Sequence, residues 1–216
     1  MKNILIVYAA PEPKSLNGAL LGAAIKTLME SGMNVEISDL YGMSFKAVLD
    51  PADFPDRHDA TVFDPAAEQL HAMACGSIAP DIATEMEKVR RADLLIVQFP
   101  IWWTSMPAIL KGWFDRVFAQ GFVVNLARGQ VYATGLLRGK KAMVVVTAGS
   151  PPELYTTSGP HGDLHEHLRS LTHNILEFTG MEVLPTHVIF GAAEIAPEDA
   201  DREVERYQDR LLALRA

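Results

Sequence analysis

The stretch that decides the fold runs Ala92-Asp93-Leu94-Leu95-Ile96-Val97-Gln98-Phe99-Pro100-Ile101-Trp102-Trp103-Thr104-Ser105-Met106-Pro107. Its first half is a continuous apolar run of strand length, which suits a strand covered on both faces. Its second half turns at Pro100 into a crowd of aromatics and then into helical spacing over Met106 to Ala119. A doubly covered strand that hands its chain directly to a helix is the unit of a parallel sheet layered with helices.

The same unit recurs on either side. Ile4 to Tyr8 is an apolar, β-branched run, followed by the helix formers of Ala19 to Glu30, which stop at Ser31-Gly32. Met33 to Ser38 and Ala142 to Thr147 are further strands. Leu164 to Phe178 and Pro197 to Ala216 carry helical spacing, with Pro197 placed to open the last helix. Strands alternating with helices predict right-handed crossovers and a doubly wound, mostly five-stranded parallel sheet with helices on both faces. Ligands of such sheets bind beyond the carboxyl ends of the strands, where strand order reverses.

At 216 residues the chain reads as a single domain over 1–216, with an excursion at about 39–80 holding a short helix at Ala66 to Ala74. With 49% apolar and 21% charged residues and no long unbroken apolar run, it reads as a water-soluble protein without a membrane span. The start of the chain shows no export signal, and a lone cysteine, Cys75, fits a reducing compartment; the expectation is a cytoplasmic protein with Cys75 as a small buried hydrophobe. A net charge of −8 argues against nucleic acid and anionic membranes as partners.

Three strand-end loops carry the chemistry. The first lacks G-x-G-x-x-G, since Gly18 and Gly22 are the glycines near it, and the Thr134 to Lys141 stretch departs from a P-loop at both ends and reads as a turn into a strand. The first loop instead offers Ser15-Leu16-Asn17 at a helix start, a hydroxyl, an amide and free backbone N–H groups that suit a phosphate as well as a simple helix cap. The second loop, Pro100 to Thr104, presents two adjacent indoles, at least one of which can line a crevice against a flat ring. The third, Thr147-Ala148-Gly149-Ser150, lets backbone approach a ligand at Gly149, with Tyr155 and His161 beyond it.

On these residues the chain resembles the NAD(P)H:quinone oxidoreductase family of flavodoxin-like proteins. The resemblance rests on Gln98 through Phe118, above all Pro107-Ala108-Ile109-Leu110-Lys111-Gly112-Trp113-Phe114-Asp115-Arg116-Val117-Phe118. Ser38 to Tyr41, Pro80 to Ile82 and Tyr155 through Asp163 support it. It implies a two-step cycle in which NADH or NADPH reduces a flavin, leaves, and is replaced by a quinone. FAD is the expected cofactor, with FMN as the alternative. Ser15, Leu16 and Asn17 are implied to hold the phosphate region, and Pro100, Ile101, Trp102, Trp103, Thr104, Thr147, Ala148, Gly149 and Tyr155 to surround the ring. Tyr155 and His161 are implied as the catalytic pair, a phenol and an imidazole able to stabilise the negative charge that hydride delivers. Trp103, Val124, Leu126, His161 and Phe178 are implied at the substrate, and a homodimer is implied, with Phe99 to Phe118 and Asp39 to Pro80 as interface candidates.

Departures from the animal enzymes are concentrated at the pocket. Ala10 and Pro11 stand where a histidine is usual, Trp102 and Thr104 replace a glutamine and a phenylalanine, Val124 and Leu126 replace tyrosines, Ser150 replaces a glycine, and the long carboxyl-terminal extension has no counterpart. The natural acceptor is therefore open among quinones, azo dyes, nitroaromatics and related electrophiles, and a regulatory flavoprotein attached to a transporter is a further reading. No metal is expected at His161, His165 and His167: His161 and His165 form an i,i+4 pair without a third ligand at hand, and the reading is one catalytic and two solvated histidines.

Overall fold

The computed structural model describes residues 1–214. Its sheet has the order β2-β1-β3-β4-β5, from β1 (Asn3–Tyr8), β2 (Asn34–Asp39), β3 (Leu94–Pro100), β4 (Lys141–Thr147) and β5 (Glu182–Val183), with β6 (His187–Ile189) also pairing with β4; every pairing is parallel. Strand order reverses between β1 and β3, which puts the expected ligand site at their carboxyl ends.

Side-chain alternation builds the two layers. Leu5, Val7, Leu95, Val97, Val144 and Val146 enter one core with α3 (Pro80–Arg91), α4 (Ala108–Val117) and α5 (Leu164–Leu171). Ile4, Ile6, Leu94, Ile96, Met143 and Val145 point the other way, onto α1 (Leu16–Glu30) and α6 (Pro197–Ala213) through Leu20, Ala24, Leu28, Tyr207 and Leu211. A period of two with apolar residues at both parities is what makes these strands read as unbroken apolar runs.

Helix α3 lies where no helix is anticipated. Pro80 occupies its first position, and its buried face, Ile82, Glu85, Met86 and Val89, follows the spacing of one helical stripe. The fifth strand is split because Pro185, with no N–H to give, falls between β5 and β6. The helix anticipated over Leu164 to Phe178 is regular only to Leu171; its ladder widens into a π-turn at Thr172–Leu176 and closes in a tight turn at Glu177–Thr179. Helix α6 ends at Ala213, and the rest of its anticipated span reaches outside the described residues.

The excursion is ordered and carries α2 (Pro65–Cys75), capped by Asp64. It is fastened by buried charge: Arg116, 1% exposed, donates to both Asp53 oxygens (3.1 and 2.7 Å), to Asp81 (2.7 Å) and to the Lys46 carbonyl (3.0 Å). Gly112 of α4 is required there, since a Cβ would stand 2.0 Å from the Ala47 carbonyl oxygen. Beside it, buried Glu85 accepts from Ser38 (2.5 Å), Lys88 (2.7 Å) and the Trp113 indole (2.9 Å), joining β2, α3 and α4. Cys75 closes α2 and is exposed, so the expectation of a buried cysteine is corrected; the last residue of a surface helix has little to pack against. Among the described residues no helix is long and apolar enough to cross a membrane.

Candidate active site

Three loops leave the carboxyl ends of β1, β3 and β4 and meet around a cavity of about 360 Å³. Ser15, Leu16, Asn17, Pro100, Ile101, Trp102, Thr147 and Gly149, all anticipated as cofactor contacts, line it together.

Ser15 caps α1, its hydroxyl accepting from Gly18 N–H at 3.3 Å and donating to the Glu12 carbonyl at 2.6 Å. Gly18 cannot be replaced without moving this loop, since a Cβ there would meet the Pro13 carbonyl oxygen at 1.9 Å. Asn17 is 4% exposed and donates to the Thr147 hydroxyl at 2.6 Å, while Gln98 donates to the Asn17 carbonyl at 2.7 Å. The Ile101 N–H reaches the Thr147 carbonyl at 2.8 Å. These bonds hold the three loops in one register. Glu12 is the one ionisable residue in the cavity lining, so an anion there is met by backbone N–H groups and the positive end of α1 instead of by a cationic side chain.

The corner after β3 is a tight turn. Trp102 and Ser105 exchange backbone hydrogen bonds of 3.0 Å in both directions, and the two residues between them, Trp103 and Thr104, have φ of 51° and 57°. This is the dihedral pattern of a type I′ turn, which asparagine and glycine ordinarily supply. An indole and a β-branched residue there store strain, of the kind that persists at functional sites. The turn leaves Trp103 98% exposed and Trp102 43% exposed. Trp103 and Thr104 therefore stand beyond the cavity lining, not in it.

Tyr155 and His161 sit above the third loop with ring centroids 5.1 Å apart, and Tyr155 also packs on Phe190 at 5.6 Å. Neither lines the cavity, but the segment after β6 links them to it. Gly191 N–H bonds to Ser150, Ala192 N–H to Ala148, and Ala192 and Ala193 complete the cavity wall. These two alanines, with Ala10, Pro11 and Glu12, were not anticipated as contacts; the signal for the alanines was their place after a strand, hidden by how short β6 is. Ala148 itself is fully buried behind the wall. His165 caps into Asp163 through its N–H at 2.8 Å, and the His167 ring contacts the His161 carbonyl.

Val124 and Phe178 are elsewhere. They line a separate groove of about 410 Å³ with Phe114, Phe118, Gln69 and Ile175, walled by α2, α4 and the π-turn segment, and Leu126 is exposed outside both pockets. One chain thus does not bring its anticipated substrate residues into one place. Residues 51–80 do not line the cavity at the strand ends either; Asp39, Tyr41 and Gly42, at the start of the excursion, line a neighbouring cavity of about 380 Å³ that shares Ala10 and Pro11 with it.

The chain matches a family model described as flavodoxin-like fold over residues 2–214. Human ribosyldihydronicotinamide dehydrogenase [quinone] is 44% identical over 92% of this chain and 85% of its own length. The chain belongs to the flavodoxin-like NAD(P)H:quinone oxidoreductase family. The guinea pig (Cavia porcellus) member NAD(P)H dehydrogenase [quinone] 1 is 36% identical over 98% of this chain and 76% of its own length. A candidate quinone reductase of known structure from Klebsiella pneumoniae superposes with a TM-score of 0.94, at 38% identity, covering 99% of this chain and 85% of that one.

Proposed function

We propose that this chain is a flavin-dependent NAD(P)H:quinone oxidoreductase, moving two electrons as hydride from NAD(P)H to a bound flavin and then to a quinone in the vacated pocket. The observation that carries this reading is the cavity at the ends of β1, β3 and β4, where a helix start suited to a phosphate faces apolar walls suited to a flat ring.

The residues present fit a flavin. Asn17 lines the cavity, and its buried side-chain oxygen has no hydrogen-bond partner among the described residues, an orphaned acceptor of the kind that marks a ligand site. Bound there, a flavin supplies two-electron hydride acceptance and donation, which no side chain can. Ser15, Leu16 and the first turn of α1 hold its phosphate. Pro100, Ile101, Trp102 and Gly149 flank the ring and exclude water. Tyr155 and His161, beside the third loop, would hold the protons that balance the charge on a reduced ring, without nucleophilic attack.

FAD is the cofactor we assign, on the family resemblance. A homodimer accounts for the divided substrate residues: the groove of Val124 and Phe178 in one protomer would face the exposed Trp103 turn of its partner and close the quinone pocket. We place the protein in the cytoplasm, where reduced nicotinamides are made and a lone thiol stays reduced.

The test begins with the mass of the flavin released from purified protein, then turnover with NADH, NADPH and dihydronicotinamide riboside, the last because relatives carry that donor in their names. An acceptor panel of quinones, azo dyes and nitroaromatics follows. Quinones reduced fastest, with a double Tyr155→Phe, His161→Gln variant slow in reduction but still flavin-loaded, is the expected result. Absence of bound flavin, or unchanged hydride transfer in the double variant, contradicts the reading.

A further inference from the structure

On the outer side of the excursion three ligand types of different chemistry converge. Asp56 comes from the loop before α2, and His71 and Cys75 come from one face of α2, four residues apart. His71 Nε2 is 3.0 Å from an Asp56 carboxylate oxygen, the Cys75 sulfur is 3.8 Å from His71 Nδ1 and 3.9 Å from Nε2, and one donor atom from each residue lies within 4.8 Å of the others. In a tetrahedral zinc centre, with Zn–N and Zn–O near 2.0 Å and Zn–S near 2.3 Å, neighbouring donor atoms stand about 3.3 to 3.5 Å apart. The three atoms need only sub-ångström to roughly one-ångström adjustments, which exposed side chains make by rotamer change.

We propose that Asp56, His71 and Cys75 bind a divalent zinc ion, with water in the fourth position and the His58 ring, 5.7 Å from that of His71, beside it. A thiolate, an imidazole and a carboxylate form a mixed soft and hard donor set that selects Zn²⁺ over Mg²⁺ or Ca²⁺, which require oxygen alone. The site is largely preorganised. Buried Glu68 accepts from Arg57 Nε at 2.7 Å and from the His58 N–H at 2.7 Å, pinning the loop to α2 immediately after Asp56. Zinc would replace the proton between His71 and Asp56, displace the Cys75 thiol proton to solvent, and tie the loop to the carboxyl end of α2. The site shares no residue with the cavity at the strand ends, so it is a structural clip of the excursion.

Cys75 is the sole cysteine, so thiol labelling reports on this site alone. The flavin-loaded protein, freed of metal by chelation, is treated with iodoacetamide with and without one equivalent of Zn²⁺, and adducts are followed by intact mass. Zinc is expected to slow alkylation roughly tenfold or more, because a metal-bound thiolate is a poor nucleophile. His71→Ala and Asp56→Ala should each restore the metal-free rate, while flavin reduction by NAD(P)H is the same with and without zinc. The Asp56 side chain is 63% exposed and that of His71 27%, and neither belongs to the apolar core, so neither substitution threatens it. Alkylation unaffected by zinc, or protection that survives either substitution unchanged, overturns the proposal.

Discussion

Asn17 at the start of α1 donates to the Thr147 hydroxyl at the end of β4 across 2.6 Å, a buried bond spanning 130 residues of sequence. It joins the phosphate-suited loop to the loop that leads to Tyr155 and His161. Replacing Asn17 with Ala leaves Thr147 without its donor in a buried setting and should cost about 1 to 3 kcal/mol of stability, read as a shift in denaturant midpoint. The same variant should lose flavin on gel filtration, read from the ratio of flavin to protein absorbance.

The strained corner gives a result of opposite sign. Trp103→Asn with Thr104→Gly supplies the residues a type I′ turn prefers and should raise stability by about 1 kcal/mol or more, since each misplaced residue costs of order 1 to 3 kcal/mol. Acceptor turnover should fall in the same variant if the Trp103 indole serves the pocket. Thermal unfolding and steady-state quinone reduction check the two halves separately.

Much of this site was legible because its parts are consecutive. Phe99 through Pro107 announces strand, corner and helix in one sweep, and Ser15-Leu16-Asn17 stands directly after the first strand, so eight anticipated cofactor contacts converge on one cavity. What was not legible depends on distance or on ambiguous punctuation. Pro80 reads equally as the end of a loop and as the first residue of a helix, and only the stripe Ile82, Glu85, Met86 and Val89 decides for α3. Pro185 breaks the last strand into pieces too short for a period to show. Nothing in the local sequence around Val124 and Phe178 tells that they face a different groove from Trp102, because that is set by packing across α4.

His187 offers a pH signature. It is 4% exposed, its Nε2 has no hydrogen-bond partner among the described residues, and its ring packs on Tyr207. Burial, reinforced by the positive charges of Arg206 and Arg210, lowers its pKa to about 4. An unfolded histidine takes up its proton near pH 6.5, so between there and pH 4 the unfolded state binds more protons than the folded one. Stability should therefore fall as pH drops through that window, by up to about 3 kcal/mol. In His187→Phe, which keeps an aromatic ring against Tyr207, urea unfolding across the window should show a shallower fall.

Arg116 holds the excursion to α4. Arg116→Met leaves buried Asp53 with only the half-exposed Lys46 ammonium as an ionic partner, 2.9 Å away, and should cost about 3 kcal/mol, whereas adding Asp53→Leu should recover a large part of it. Burial pushes the Asp53 carboxyl up, but Arg116, Lys46 and the Asp50 N–H together hold it below its ordinary range, so the contribution is present at neutral pH and lost as acid protonates the group. Denaturant midpoints of the single and double variants at neutral pH test the pair.

The most direct test of the hydride account is an anaerobic two-stage experiment on the flavin-loaded protein. NADH or NADPH is added until the flavin absorbance bleaches, the oxidised nicotinamide is removed, and a quinone is mixed in without oxygen. The account predicts full bleaching in the first stage and full recovery in the second, with one quinone reduced to hydroquinone per flavin. A flavin that stays oxidised with every nicotinamide donor, or a reduced flavin that the quinone does not reoxidise, would contradict it.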